Sequence, residues 1–508
     1  MQAKKIKSAL ISVFNKDGLG PIIESLHQNK VTIYSTGGTA DFITRMGVPV
    51  SKVESLTTYP SILDGRVKTL HPKIFGGILA RREKSHLAQL DQFDIPELDL
   101  VIVDLYPFEE TVQTTDDHEQ IIEKIDIGGI ALIRAAAKNF KDVVIVPSKN
   151  QYAYFLESYQ ANEGGTEYTD RQYLAGQAFA VSNHYDGAIA DYFATLNQQA
   201  AFRKSLQQST PLRYGENPHQ YATYYGDLIQ QVEQFNGKEL SYNNLVDVDA
   251  AIALIREFKD APPTFVVIKH TNACGVATAN TVEEAWKKAL EGDPISAFGG
   301  ILITNAKMTL ACAREIDQIF YEVLIAPEYD QEAYELLAAK KNRILLKDQL
   351  KELNPKQYKS LLNGVIEQES DLKGETIEEF RTVTQSAPSV DEWADMVFAN
   401  KCVKHLKSNA IALVKNQQLL GMGCGNTSRI DALKAAITKA RQNGFDLKGA
   451  VLASDAFFPF ADSVEIAFEA GIKTVVQPGG SVKDKDSVKF CNQHDMTMVF
   501  TGTRHFRH

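Results

Sequence analysis

Short apolar runs rich in Val, Ile and Leu alternate with longer amphipathic stretches along most of the chain. In the first 150 residues, runs at 9–13, 31–34, 100–103 and 143–146 predict strands, with helical stretches between them. Alternation of this kind predicts a parallel sheet with helices on both faces. Residues 150–200 read as helical, interrupted at Glu163-Gly-Gly-Thr166, and a polar stretch over 197–211 marks a domain junction. The alternation then resumes, with strands predicted at 265–268, 300–304, 323–326, 411–414, 450–453, 473–476 and 497–500. Residues 329–378 are charged and mostly helical in pattern, including 347–353, and read as a solvated connecting face.

A faint internal repeat crosses the second half. Residues 268–275, a helix and the run 300–305 compare with 421–429, a helix and the run 450–455. Ordinary α/β alternation produces much the same pattern, so both a duplication and plain alternation fit.

Length and composition narrow the classes. At 508 residues the chain exceeds one ordinary core, and 44% hydrophobic with 23% charged residues describes a globular protein. No apolar run approaches a bilayer span, and the run 9–14 is too short for a signal core and reads as a first strand. The five cysteines are scattered, without Cys-x-x-Cys spacing, which argues against a zinc site and a disulfide framework and makes the cytoplasm the expected compartment. A net charge of −10 disfavours broad nucleic-acid binding. Anionic ligands must then be held by local backbone N–H groups and a few placed cations.

Lys269 and His270 are such a placement. They close the apolar run 265–268, where a buried parallel strand is expected to open into a loop, and ligands of open α/β sheets gather at such ends. Together they offer a strong donor and a proton acceptor, although a solvated strand end has the same composition. Upstream, STGGT (35–39) between a predicted strand and helix fits an anion site or a tight turn. RVKTLHP (66–72) puts three cationic candidates, Arg66, Lys68 and His71, within six positions. LYPF (105–108), preceded by Asp104, and IDIGG (125–129), followed by AAAKN (135–139), add a carboxylate and glycines at element ends. Downstream, RYGENPHQ (213–220), SAFGG (296–300), GCGNTSR (423–429) and SDAFFPF (454–460) form a dense set of polar loops. The phenylalanines of the last suit either core or a wall for a flat aromatic ligand.

Taken in order, STGGT, RVKTLHP, LYPF, IDIGG, AAAKN, RYGENPHQ, KH-x-N-x-CG, SDAFFPF and the terminal RHFRH resemble the bifunctional purine biosynthesis family that joins AICAR transformylase to IMP cyclohydrolase. The resemblance spans essentially the whole chain. It implies an α/β protein: a methylglyoxal-synthase-like parallel-sheet core (1–148) within a cyclohydrolase domain (1–198), then a transformylase domain (199–508) of two cytidine-deaminase-like units. It also implies a homodimer, 10-formyl-tetrahydrofolate as cosubstrate, and AICAR, formyl-AICAR and IMP as the other small-molecule ligands. Neither a catalytic metal nor a nucleic-acid or membrane partner is expected.

By motif match, Lys269, His270 and His219 are the catalytic candidates of formyl transfer. Arg213, Tyr214, Asn244, Asn409, Arg429 and Arg504 are expected to hold AICAR, while Phe298, Gly299, Glu322, Phe457, Phe460 and Asp462 line the AICAR and folate pockets. Lys68, Tyr106, Asp126 and Lys138 are the candidates for ring closure. Ser12, Lys16, Thr36, Gly37, Gly38, Thr39, Arg66, Thr69, Asp104, Gly128 and Gly129 are expected around the nucleotide.

Three departures from the family pattern stand out: Ala273 in place of Pro, Phe14-Asn15 in place of Ser-Asp, and Asp104 in place of Asn. They are expected to alter affinity without abolishing activity. Two rival readings compete, a phosphometabolite sensor attached to a degenerate transformylase and a methylglyoxal-synthase-type lyase. The sensor has no need of the reactive residues, and the lyase leaves the second half unexplained.

Overall fold

The computed structural model describes residues 3–65 and 67–508 and divides into two compact units, 1–207 and 208–508. In the first, strands β1 (Ser8–Ser12), β2 (Thr32–Ser35), β3 (Ser51–Lys52), β4 (Leu100–Val103) and β5 (Val144–Val146) form an all-parallel sheet. Its order is β3-β2-β1-β4-β5. The chain therefore builds outward from β1 on one side, then returns to its other side with β4. A crevice opens at the carboxyl ends of β1 and β4, the usual ligand position in such sheets. Leu10, Ile11, Val101, Ile102 and Ile145 are fully buried between helical layers. The runs are continuous rather than alternating because both faces of the sheet are covered. Three helices matter for the site: α1 (Gly37–Arg45), α2 (Gly128–Lys138) and the long α3 (Tyr168–Leu196), which packs on α2.

The second unit carries one mixed sheet of twelve strands. In chain order these are β6 (Val232–Asn236), β7 (Thr264–Lys269), β8 (Asn272–Thr278), β9 (Ile301–Thr304), β10 (Val323–Ala326), β11 (Ile344–Asp348), β12 (Arg381–Thr382), β13 (Ile411–Lys415), β14 (Gln418–Gly423), β15 (Val451–Ser454), β16 (Thr474–Gln477) and β17 (Thr497–Phe500). Their spatial order, β6-β11-β10-β9-β7-β8-β14-β13-β15-β16-β17-β12, reads as the same five-strand pattern run outward twice from the β8–β14 seam, each closed by an antiparallel edge strand, β6 or β12. Each pattern is a hairpin (β7–β8, β13–β14), an antiparallel neighbour (β9, β15) and two further parallel strands. Each also has a helix before the hairpin, α4 (Tyr242–Arg256) or α6 (Val390–Lys404), and one after it, α5 (Val282–Gly292) or α7 (Arg429–Gln442). Both leading helices begin with a capping box, Ser241 with Asn244 and Ser389 with Glu392.

The sheet corrects several sequence expectations. β7 is antiparallel to both neighbours, so Lys269 ends the first strand of a hairpin and His270 opens its turn, not the loop after a parallel strand. The repeat inferred from sequence is one strand out of step: Gly275 pairs with Val267 as Gly421 pairs with Leu413, so the counterpart of 268–275 is 414–421. In the segment 329–378 only Gln331–Ala338 is a regular α-helix, while 347–348 belong to β11 and a hairpin of exposed residues, Lys356–Leu361 with Gly364–Glu369, follows. The return strand β8 carries no strand signal, because Asn-Ala-Cys-Gly-Val-Ala-Thr has little of the β-branched and aromatic character that marks strands. Among the described residues, no helix is long and apolar enough to cross a membrane.

Small residues set how closely the trailing helices approach. A Cβ on Gly275 would collide with the Ala289 carbonyl oxygen of α5, and one on Gly421 with that of Ala436 on α7. Gly275→Ala is therefore expected to destabilise the second unit by about 1–3 kcal/mol through overpacking. A thermal melt reads this directly, and an unchanged midpoint would contradict the close helix–hairpin contact.

Candidate active sites

In the first unit, the carboxyl end of β1 meets the amino end of α1. Thr36 precedes that helix, and its hydroxyl lies 2.8 Å from that of Ser12. Thr39 Oγ1 donates to the Val13 carbonyl at 2.9 Å and accepts from the Val13 N–H at 3.1 Å. A Cβ at Gly38 would meet nothing within 4 Å, so the first turn of α1 faces open space. Lys68 Nζ lies 3.7 Å from where a Gly37 Cβ would stand and 3.4 Å from that of Gly65. Helix-end N–H groups, two hydroxyls and an ammonium converge there, a combination that suits a phosphate. Arg66 lies outside the described residues. Lys16 turns back on its own loop and donates to the Val13 and Phe14 carbonyls at 2.9 and 2.7 Å.

The departures at Phe14-Asn15 and Asp104 prove to be in contact. The Asp104 carboxylate accepts the Phe14 N–H and, at 2.9 Å, the Asn15 N–H, linking the segments that follow β1 and β4. Burial pushes its pKa up. Phe14 sets its ring edge against Tyr106 with centroids 5.6 Å apart.

Beside it, Asp126 accepts the Gly129 N–H at 2.6 Å at the start of α2. A Cβ on Gly129 would overlap this carboxylate, and one on Gly128 would crowd Thr69 Oγ1 at 2.9 Å. Burial raises the Asp126 carboxyl, against the opposing pull of Lys68, and the nearby Asp104 raises it further. Burial and the Asp126 charge also raise the Tyr106 phenol. Lys68, Thr69, Asp104, Tyr106, Asp126 and the Gly128–Gly129 turn thus form one neighbourhood. Lys138 does not join it: exposed at the other end of α2, it is roughly 15 Å along the axis from Gly128 at 1.5 Å per residue. Tyr185 on α3, which no motif singled out, accepts the Asp126 N–H at 2.8 Å and donates to the Lys124 carbonyl at 2.6 Å.

In the second unit, β7 and β8 are joined by the two residues His270 and Thr271, both in the left-handed region with φ 50° and 64°. Lys269 is half-buried and donates to the Phe298 carbonyl at 2.7 Å, while His270 is exposed. Gly299 has φ 71°, and a Cβ there would stand 3.2 Å from Lys269 Nζ. Phe298 is exposed and stacks obliquely on Phe320, with centroids 5.2 Å apart. Asn272 donates to the His270 carbonyl at 2.9 Å and accepts the Lys407 N–H at 3.0 Å, joining this turn to the segment holding Asn409. Asn409 Oδ1 accepts from Arg429 at 2.8 Å. Arg429 is buried against Asp455 and also donates to Ser454 Oγ at 2.9 Å. The terminal tail passes the same cluster, with His505 N–H on the Asp455 carbonyl and Ser408 N–H on the Arg507 carbonyl. It brings Arg504, whose guanidinium lies over Phe506 at 4.5 Å.

Other candidates stand elsewhere or are already engaged. Asn244 spends its side-chain oxygen on the capping box, accepting from the Ser241 N–H at 3.1 Å and hydroxyl at 2.9 Å, which makes it a helix cap. Glu322 is paired with Lys238 at 2.6 Å. Arg213 and Tyr214 stack on one another, with His219, on an exposed segment tied to α4 by Asn243 and the Glu216 carbonyl. In the loop after β15, Phe458 is core, whereas Phe457 and Phe460 are exposed and Asp462 begins the next helix. Ala273 is fully buried in β8 opposite Ile268, at a bulge. Among the described residues, no group of three or more His, Cys, Asp or Glu side chains is placed to hold a metal ion.

Comparison with known proteins matches both units. The family described as AICARFT/IMPCHase bienzyme matches residues 136–439, and an MGS-like domain matches 18–131. A protein of Bacteroides thetaiotaomicron called bifunctional purine biosynthesis protein PurH is 55% identical over 508 residues, the whole of both chains. Proteins of the same name from Chlorobium phaeobacteroides and Caldicellulosiruptor bescii are 44% and 45% identical; each alignment covers 99% of this chain, with 99% and 100% of theirs. The chain is thus a two-unit α/β protein of the bienzyme class. It belongs to the AICARFT/IMPCHase family.

Tyr185→Phe removes both hydrogen bonds of the Tyr185 hydroxyl, the one accepted from the Asp126 N–H and the one donated to the Lys124 carbonyl. It is expected to cost about 1–3 kcal/mol, because a buried N–H loses its partner, and to slow whatever chemistry Asp126 serves. Thermal unfolding of the first unit measures the cost; an unchanged midpoint would contradict the bridge.

Proposed function

We propose that the two sites catalyse consecutive steps, formyl transfer to AICAR in the second unit and closure of formyl-AICAR to IMP in the first. The formyl donor is 10-formyl-tetrahydrofolate. The placement of an ammonium and an imidazole on consecutive residues, where β7 enters a two-residue turn, carries this reading. The 5-amino group of AICAR is a weak nucleophile because its lone pair is delocalised into the ring. His270 takes a proton from this amine as its nitrogen attacks the formyl carbon. Lys269 stabilises the oxygen of the tetrahedral intermediate or protonates the departing folate nitrogen as its bond to that carbon breaks. Arg429 and Asn409, tied to the turn through Asn272 and Lys407, frame the AICAR side, with Arg504 and the exposed Phe298, Phe457 and Phe460 as further walls.

In ring closure the carboxamide nitrogen attacks the formyl carbon, and the formyl oxygen then leaves as water. Asp126 accepts the carboxamide proton, helped by a carboxyl pKa raised by burial. Tyr106, whose phenol pKa is raised by burial and then by that same neighbour, donates to the formyl oxygen. Lys68 and the amino end of α1 take the phosphate. Lys138 receives no step within one chain. The protein acts in the cytoplasm as a homodimer.

His270→Ala should lower formyl transfer by about 10²–10⁴-fold and leave ring closure of supplied formyl-AICAR intact. Lys68→Ala should do the reverse. Assay of both activities in each folded variant decides: parallel loss of both would mean that the sites are not separate.

A further inference from the structure

The His270–Thr271 turn is an unusual one. Two-residue hairpin turns with positive φ at both positions favour Asn-Gly, and a β-branched residue such as Thr rarely adopts that conformation. The second half of the sheet makes the same turn with Asn416 and Gln417, at φ 52° and 53°. One device holds both. Asp247 on α4 accepts the Thr271 N–H at 2.7 Å. Asp395 on α6 accepts the Asn416 and Gln417 N–H groups at 2.8 and 2.7 Å. Each aspartate is the sixth residue of its helix, and each helix opens with the same kind of capping box. The duplicated fold thus keeps one aspartate-braced turn in each half, each entered by a lysine, Lys269 or Lys415, but only the first carries an imidazole.

We propose that Asp247 is the positioning residue of formyl transfer: by bracing the backbone of the His270–Thr271 turn from α4, it fixes where the imidazole meets the AICAR amine. The inference rests on the reading of Lys269 and His270 as the transfer site. Asp247 touches neither reactant; it acts through the turn. Asn243, four residues earlier on the same face of α4, holds the Glu216 carbonyl of the segment bearing Arg213 and Tyr214. One helix therefore sets the imidazole and a substrate-binding segment in a common frame.

Asp395 supplies the internal control. Asp247→Asn and Asp395→Asn each weaken the same contact in the same architecture, but only the first lies under a turn with chemistry. The full-length protein is assayed for formyl transfer and ring closure, with thermal midpoints recorded for both variants. Asp247→Asn should reduce kcat for formyl transfer about 10- to 100-fold, the effect of a misplacement near 1 Å, with KM for AICAR little changed. Asp395→Asn should lower the thermal midpoint by a similar amount and keep kcat within about twofold of the parent. An equal kcat loss in both variants would reduce Asp247 to a structural brace and overturn the proposal, as would a wild-type kcat in Asp247→Asn. Should Asp247→Asn fail to fold, Asp247→Glu, which keeps the charge one methylene further out, is expected to show the same kcat loss, and wild-type kcat there would overturn the proposal. His270→Ala, assayed alongside, separates the two levels. Full transfer activity in it defeats the site reading itself, whereas an inactive His270→Ala with a fully active Asp247→Asn defeats only the positioning role.

Discussion

Backbone N–H groups at the ends of strands and helices must find acceptors when water is excluded, and this chain meets the demand at its sites with aspartates. Asp104 takes the N–H groups of Phe14 and Asn15, Asp126 that of Gly129, Asp247 that of Thr271 and Asp395 those of Asn416 and Gln417. Burial raises the pKa of all four, so each carboxylate is held in surroundings that resist its charge. The bends held by the first three are those around which Lys68, Tyr106, Lys269 and His270 are arranged; Asp395 holds the equivalent turn in the other half of the sheet. Geometry at both sites therefore depends on short carboxylate–amide contacts.

The two units use this constraint on different frames. In the first, the parallel sheet opens a crevice by reversing its strand order beside β1, and Asp104 spans it from β4. In the second, a duplicated hairpin sheet presents two equivalent turns, both entered by a lysine, of which only the His270–Thr271 turn carries an imidazole. Duplication lets the fold keep the braced turn and its lysine in both halves while only one half adds the imidazole. Glycine allows both hairpins to lie directly under a helix, as Gly275 and Gly421 do against Ala289 and Ala436.

Much of this was legible in the chain. The apolar runs at 100–103, 323–326 and 497–500 coincide with strands, and the remaining runs fall within a residue or so of theirs. Burial on both faces makes such runs continuous, and continuity is easily read. The hairpin turn was hidden because His-Thr lacks the Asn-Gly signal, and its return strand because Ala, Cys and Gly serve close helix packing there. Motif order placed Lys68, Tyr106 and Asp126 in one neighbourhood, but it could not tell that Asn244 serves as a cap or that Lys138 sits at the far end of its helix. The braces, Tyr185 and Asp247, were invisible. Their partners are backbone groups, and a backbone partner leaves no pattern in the residue sequence.

The account stands or falls on one chain performing both steps at distinct centres. The most direct measurement supplies AICAR and 10-formyl-tetrahydrofolate to the protein and follows products by mass over time. Formyl-AICAR should rise first and then be consumed as IMP appears. Formyl-AICAR that accumulates without IMP, or the absence of any formylated product, would contradict the account.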